Sequence, residues 1–129
     1  MTGLNDNGHG VRLRPMVHVE DLTASVAFYE QLGARVVHGR RDGDRALIEI
    51  GDARVGLLAH PPYPCQGEGA VELGFECTDP LEEVEARLRA RGVTIARPTT
   101  DDAGGRQLRL VSPDGLLLKI DELDPVLFD

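Results

Sequence analysis

Arg14, Met16 and His18 alternate along one short stretch, opposite Leu13, Pro15, Val17 and Val19. Successive side chains of an extended chain point to opposite faces, so the first three share the face that the apolar four leave open. An imidazole there can act as a general base beside a carboxylate. With further oxygen or nitrogen donors it can hold a divalent ion. By strand parity Glu49 and Glu72 reach open faces of later strands, so His18, Glu49 and Glu72 make one conceivable metal set, which nothing in their spacing favours. The plainer reading is a rim histidine making one hydrogen bond. Arg45, Gln107 and Arg109 reach open faces by parity too, and a single bulge would reverse that placement.

The two cysteines do not read as nucleophiles. Cys65 lies in a Pro-rich loop with no base beside it, and Cys77 falls on the apolar side of a strand. Unpaired cysteines fit a reduced, cytoplasmic compartment.

The elements that position these residues follow one plan used twice. The stretch from Arg14 to Gly33 reads as a strand, a cap at Asp21, and an amphipathic helix over Leu22–Leu32 burying Leu22, Val26, Tyr29 and Leu32, closed by Gly33. Three strands are expected after it, at 34–39, 45–50 and 53–59. The second copy opens with Val71, Leu73, Phe75 and Cys77 on one face and Glu72, Gly74 and Glu76 on the other. Asp79 caps, Pro80 takes the first helical position, Glu82 closes a capping box, and Leu81, Val84 and Leu88 form the buried stripe. Glu83–Arg87 and Glu85–Arg89 are i,i+4 pairs on the wet face. Gly92 ends that helix, and strands follow at 93–96, 106–112 and 116–121. The offset from Asp21 to Asp79 matches that from Gly33 to Gly92 to within one residue. Residues 1–10 and 124–129 read as tails, 11–60 and 70–123 as the two modules of a single domain, and the Pro- and Gly-rich 60–69 as a linker.

Bulk composition narrows the partners. Of 129 residues, 41% are hydrophobic, enough for a modest core. A net charge of −8 disfavours nucleic acid and anionic membrane. No run of eighteen apolar residues could span a bilayer, and MTGLNDNGHG lacks the apolar core of a secretory signal. With no Trp, a flat ligand clamped between rings is disfavoured.

Two βαβββ units, a strand running into Val19-Glu20-Asp21-Leu22, the string Ser25-x-x-Phe28-Tyr29-x-x-Leu32-Gly33, and Leu110-Val111-Ser112-Pro113-Asp114-Gly115 before a last apolar strand resemble the vicinal-oxygen-chelate superfamily. That is the glyoxalase, bleomycin-resistance and extradiol-dioxygenase group. The resemblance implies an α+β fold of two βαβββ modules, with curved mixed sheets around a cup-shaped cavity. It also implies four metal-ligand positions in the cup, which here fall on Arg14, Gly56, Glu72 and Lys119. Arg keeps its proton, Gly has no side chain, and Lys must lose a proton to ligate. Only Glu72 fits, so neither metal nor cofactor is expected. The same topology places Glu72 and Lys119 side by side as an ion pair.

On that resemblance the expected ligand-binding residues are Arg14, Met16, His18, Glu49, Gly56, Glu72, Arg109 and Lys119, with no catalytic residue assigned. The expected function is metal-free binding of a small molecule, in the manner of antibiotic sequestration, by a homodimer. The alternative is a glyoxalase-like lyase or isomerase, or a dioxygenase, with a displaced metal site or a His18–Glu72 acid/base pair.

Overall fold

Pro15 and Leu73 set how each unit uses its opening strand. A computed structural model describes residues 10–102 and 105–122. The opening stretch is two strands, β1 (Arg12–Leu13) and β2 (Met16–His18), rather than one. Pro15 has no amide hydrogen to give a ladder, and its carbonyl instead accepts from Gly56 N–H at 2.9 Å. The second copy splits at Leu73 into β6 (Val71–Glu72) and β7 (Gly74–Cys77). Between them lie α1 (Leu22–Glu30), β3 (Arg35–Gly39), β4 (Arg45–Ile50) and β5 (Ala53–Leu58); after them come α2 (Leu81–Ala90), β8 (Thr94–Asp102), β9 (Gly105–Val111) and β10 (Leu117–Glu122). One sheet runs β3-β4-β5-β2-β6 and the other β1-β7-β10-β9-β8, each mixing parallel and antiparallel pairs. The expected tails, apart from Gly10, lie outside the described residues.

The chain divides into two compact units. Among the described residues, one is Leu13–Leu73 and the other joins residues 10–12 with residues 74–102 and 105–122. Residues 60–69 therefore fold with the first unit.

In the first unit α1 covers its sheet through Leu22 and Val26, which pack with Ala46, Ile48 and Leu57. Asp21 caps it as expected, its carboxylate accepting Ala24 N–H at 3.0 Å. Leu32 is not in that core: the helix stops at Glu30, so Leu32 lies past the last turn and is 60% exposed. Val71 and Leu73, expected on the apolar side, are exposed as well.

The second unit buries Leu81 and Val84 of α2 against Cys77, Leu108, Leu110 and Ile120. Its helix starts differently from the expected capping box. Pro80 is the cap residue and offers no side-chain acceptor. Leu81 N–H is instead taken by Glu122 Oε1 at 2.9 Å, from β10, while Asp79 turns to Arg87 at 3.2 Å. On the other flank of the helix, Glu85 pairs with Arg89 at 2.8 Å and receives the Thr99 N–H at 2.8 Å and its hydroxyl at 2.7 Å.

Those contacts carry a pH consequence. The backbone hydrogen bond from Thr99, then its hydroxyl and Arg89, hold the Glu85 carboxyl below its ordinary value of 4.5. A carboxyl that is more acidic folded than unfolded stabilises the fold above the unfolded value, and that contribution disappears as pH falls through the folded one. The stability gap between the parent chain and Glu85→Gln, followed by urea unfolding from neutral to acid pH, is therefore expected to shrink as pH drops below about 4.5. A gap that stays constant would break this account.

Candidate functional site

His18 ends β2, and both nitrogens of its ring are engaged. Nδ1 lies 3.0 Å from the carbonyl oxygen of His60. A carbonyl only accepts, so Nδ1 carries the hydrogen. Nε2 is in direct contact with the Glu72 carboxylate, and Glu68 Oε1 lies 3.9 Å from it. The three side chains are 2%, 8% and 6% exposed, in the order His18, Glu72, Glu68. A histidine nitrogen and two carboxylates thus meet in a dry place within one compact unit.

Local folding explains the meeting. β6 pairs antiparallel with β2, setting Glu72 opposite Met16, and His18 N–H donates to the Ala70 carbonyl at 2.8 Å. The segment before β6 makes a short 3-10 turn over Pro64–Gln66, and Gly67 follows in the left-handed region at φ 83°. Glu68 is then held by Tyr63 twice: its N–H donates to the Tyr63 carbonyl at 3.3 Å, and its Oε1 accepts the Tyr63 N–H at 3.0 Å. The His60 ring meets His18 edge-on at 4.9 Å and stacks on Tyr63 at 5.4 Å. The stretch read as a linker thus brings a carboxylate and the half-buried His60 ring to His18, with Tyr63 stacked behind that ring.

The other expected site residues are distributed as follows. Arg14 is buried between β1 and β2, 6% exposed. Met16 faces Gly56 across the β2–β5 pair, and a Cβ at position 56 would sit 2.5 Å from Met16 Sδ, so the thioether occupies that space. Glu49 does not join His18. It lies opposite Arg35 in the β3–β4 register and binds that guanidinium at 2.7 Å. An outer pair of this kind is worth roughly 0.2–1 kcal/mol. Glu68 stands where the conceivable metal set had Glu49. Glu72 and Lys119 are not strand neighbours, because the split at Leu73 puts Glu72 in the first sheet, while Lys119 lies opposite Gly74 and Arg109 in the second. Arg109 donates from Nε to Gln107 Oε1 at 2.9 Å, and Gln107 passes a hydrogen bond to Asp121 at 2.9 Å.

Two buried carboxylates were not singled out by sequence. Glu68 could have been found by parity, since 68, 70 and 72 share a face if the strand is extended backwards. Glu76, read only as an open-face residue, is 1% exposed and binds Arg12 Nη2 at 3.0 Å.

The thiols behave as the sequence suggested. Cys77 is buried, and burial first, then the charges of Glu122, Asp79 and Asp121, push its thiol up to about 11. Cys65 is exposed. A disulfide reagent at mildly alkaline pH should titrate one thiol in the folded chain and two after unfolding. Two fast thiols in the folded chain would contradict this.

Residues 13–120 match the Glyoxalase/Bleomycin resistance protein/Dioxygenase superfamily. The chain belongs to this superfamily. It is 29% identical over 117 residues to a bleomycin resistance protein of Klebsiella pneumoniae, covering 82% of this chain and 87% of that one. Among solved structures, it resembles a Legionella pneumophila protein named as an NAD-dependent benzaldehyde dehydrogenase (TM-score 0.67, 21% identity, 88% of this chain and 100% of that one). A Vibrio splendidus superfamily member gives TM-score 0.55 at 20% identity, covering 88% and 99%. At these identities the structural likenesses speak for the fold, which is the α+β glyoxalase/bleomycin-resistance fold.

The superfamily resemblance sets a chemical test for Arg14, Gly56, Glu72 and Lys119. Among them only Glu72 offers a donor suited to a divalent ion, and the space beside Gly56 is filled by Met16. These four residues do not fit a metal. Among the described residues no helix is long and apolar enough to cross a membrane.

Proposed function

We propose that the chain binds a small molecule and sequesters it, which is one way to serve a resistance role such as its Klebsiella relative is named for, without metal chemistry at the four superfamily positions. The observation that carries this reading is the donor chemistry of Arg14, Gly56, Glu72 and Lys119, taken with 29% identity to a bleomycin resistance protein. A net charge of −8 suits a cationic ligand. The working form is a cytoplasmic homodimer, with a mass twice the 14.0 kDa of one chain by light scattering. Calorimetry and thermal shift with bleomycin and a panel of cationic natural products test the reading. Saturable binding of unmodified ligand supports it, and silence across the panel ends it.

A second reading is favoured by the direct His18–Glu72 contact: an enzyme of the same superfamily using this pair for proton transfer. Product formation by the parent chain that is lost in both His18→Ala and Glu72→Gln would establish it.

A further inference from the structure

We propose that His18, Glu68 and Glu72 form a site for one divalent transition-metal ion, sharing only Glu72 with the four positions tested above. The inference goes beyond ligand sequestration and does not rest on it. One ring nitrogen of His18 and one carboxylate oxygen from each glutamate lie within 4.8 Å of one another. Three donors at about 2.1 Å from a shared tetrahedral ion stand about 3.4 Å apart, so small side-chain movements close the set.

The supporting groups point the same way. Nδ1–H of His18 is spent on the His60 carbonyl at 3.0 Å, so in the neutral ring the Nε2 lone pair faces the carboxylates. A backbone carbonyl behind a ligating imidazole is the usual way the ring is oriented for a metal. The Tyr63 N–H fixes Glu68 Oε1 at 3.0 Å, a comparable support for the carboxylate. Nε2 and the Glu72 oxygen are both acceptors in that tautomer and would repel at contact, so a positive charge belongs between them. A proton can fill that role; a divalent ion fills it and takes the second carboxylate oxygen as a further donor.

The donor types choose among ions. One imidazole and two carboxylates suit Zn2+ or Mn2+, whereas Mg2+ and Ca2+ prefer oxygen alone. The site keeps Glu72, moves the first donor along the strand from Arg14 to His18, and takes its third from Glu68 instead of Gly56 or Lys119. It therefore revises the expectation of a chain that holds no metal at all.

The test uses the untagged full chain, stripped with EDTA and titrated by calorimetry with ZnCl2, MnCl2 and MgCl2. One equivalent of Zn2+ or Mn2+ is expected, with Mg2+ much weaker. Glu68→Gln and Glu72→Gln should each weaken the transition-metal affinity at least tenfold, while Glu83→Gln on the wet face of α2 leaves it unchanged. Circular-dichroism melts verify that the variants fold. Independently of any variant, an anomalous difference map from Zn2+-soaked crystals should place one peak between His18 Nε2 and the two carboxylates. Failure to bind one equivalent, affinity indifferent to both glutamine variants, or a peak elsewhere overturns the site. No organic ligand enters this experiment, so its failure is separable from that of the sequestration reading.

Discussion

Replacing His18 with alanine is expected to cost about 3–5 kcal/mol of stability in EDTA-treated protein, measured by urea unfolding at neutral pH. The reason is the charge left behind, more than the packing removed. Glu68 and Glu72 are held in a nearly dry pocket by β6 and by the turn at Gly67, so neither carboxylate can simply swing into water. With the imidazole gone, both carboxylates lose a buried contact where the effective dielectric is low. The same argument predicts a rescue. Adding Glu68→Gln to His18→Ala removes one of the two carboxylate charges and should recover part of the loss, so the double variant is more stable than additivity predicts. A single-variant cost under about 1 kcal/mol, with no coupling, would mean that this cluster is not the electrostatic centre described here.

How much of this cluster was readable shows where sequence reasoning stops. The repeat was legible because Asp21, Gly33, Asp79 and Gly92 punctuate both copies, and helix stripes such as Leu22/Val26 and Leu81/Val84 have one period. His18 was legible because alternation along β2 puts it beside Met16. Glu68 was not, because three prolines and two glycines in the surrounding ten residues signal irregular chain. Irregular chain can still aim a side chain when turns fix it, and the two hydrogen bonds to Tyr63 do that. Pro15 marks the break between β1 and β2, but the alternation across it was read as one strand. Nothing in Leu73 announced the matching break, since that one arises from strands being shared out between two sheets. Glu49 was misplaced because parity says which face a residue takes but not which cation waits across the ladder; the β3–β4 register supplied Arg35. The Glu122 contact to the start of α2 spans 41 residues, and no local pattern encodes it.

Leu57 provides the second large effect, and it lies directly beneath the site. It is fully buried on β5, opposite Val17 in the parallel pair with β2, and opposite Ala46 in the pair with β4. Around it pack Leu22 and Val26 of α1 and Ile48 of β4. Two of its neighbours are already small or stiff: Ala46 has no side chain to extend, and branched Val17 has few rotamers to offer. The surroundings therefore cannot collapse far into a hole. Leu57→Ala should cost about 3–4 kcal/mol, near the middle of the range for a leucine truncated in a rigid core. Leu57→Met keeps the volume and should cost less than about 1.5 kcal/mol. Leu32→Ala supplies the contrast: at 60% exposure it should fall within about 0.5 kcal/mol of the parent chain. The check is the urea midpoint at unchanged slope, since a change in slope would report a different unfolded state rather than a cavity. If Leu57→Ala and Leu32→Ala proved equally mild, the core assigned to this unit would be wrong. Strand β2 would then lack the apolar floor that holds His18 against its carboxylates.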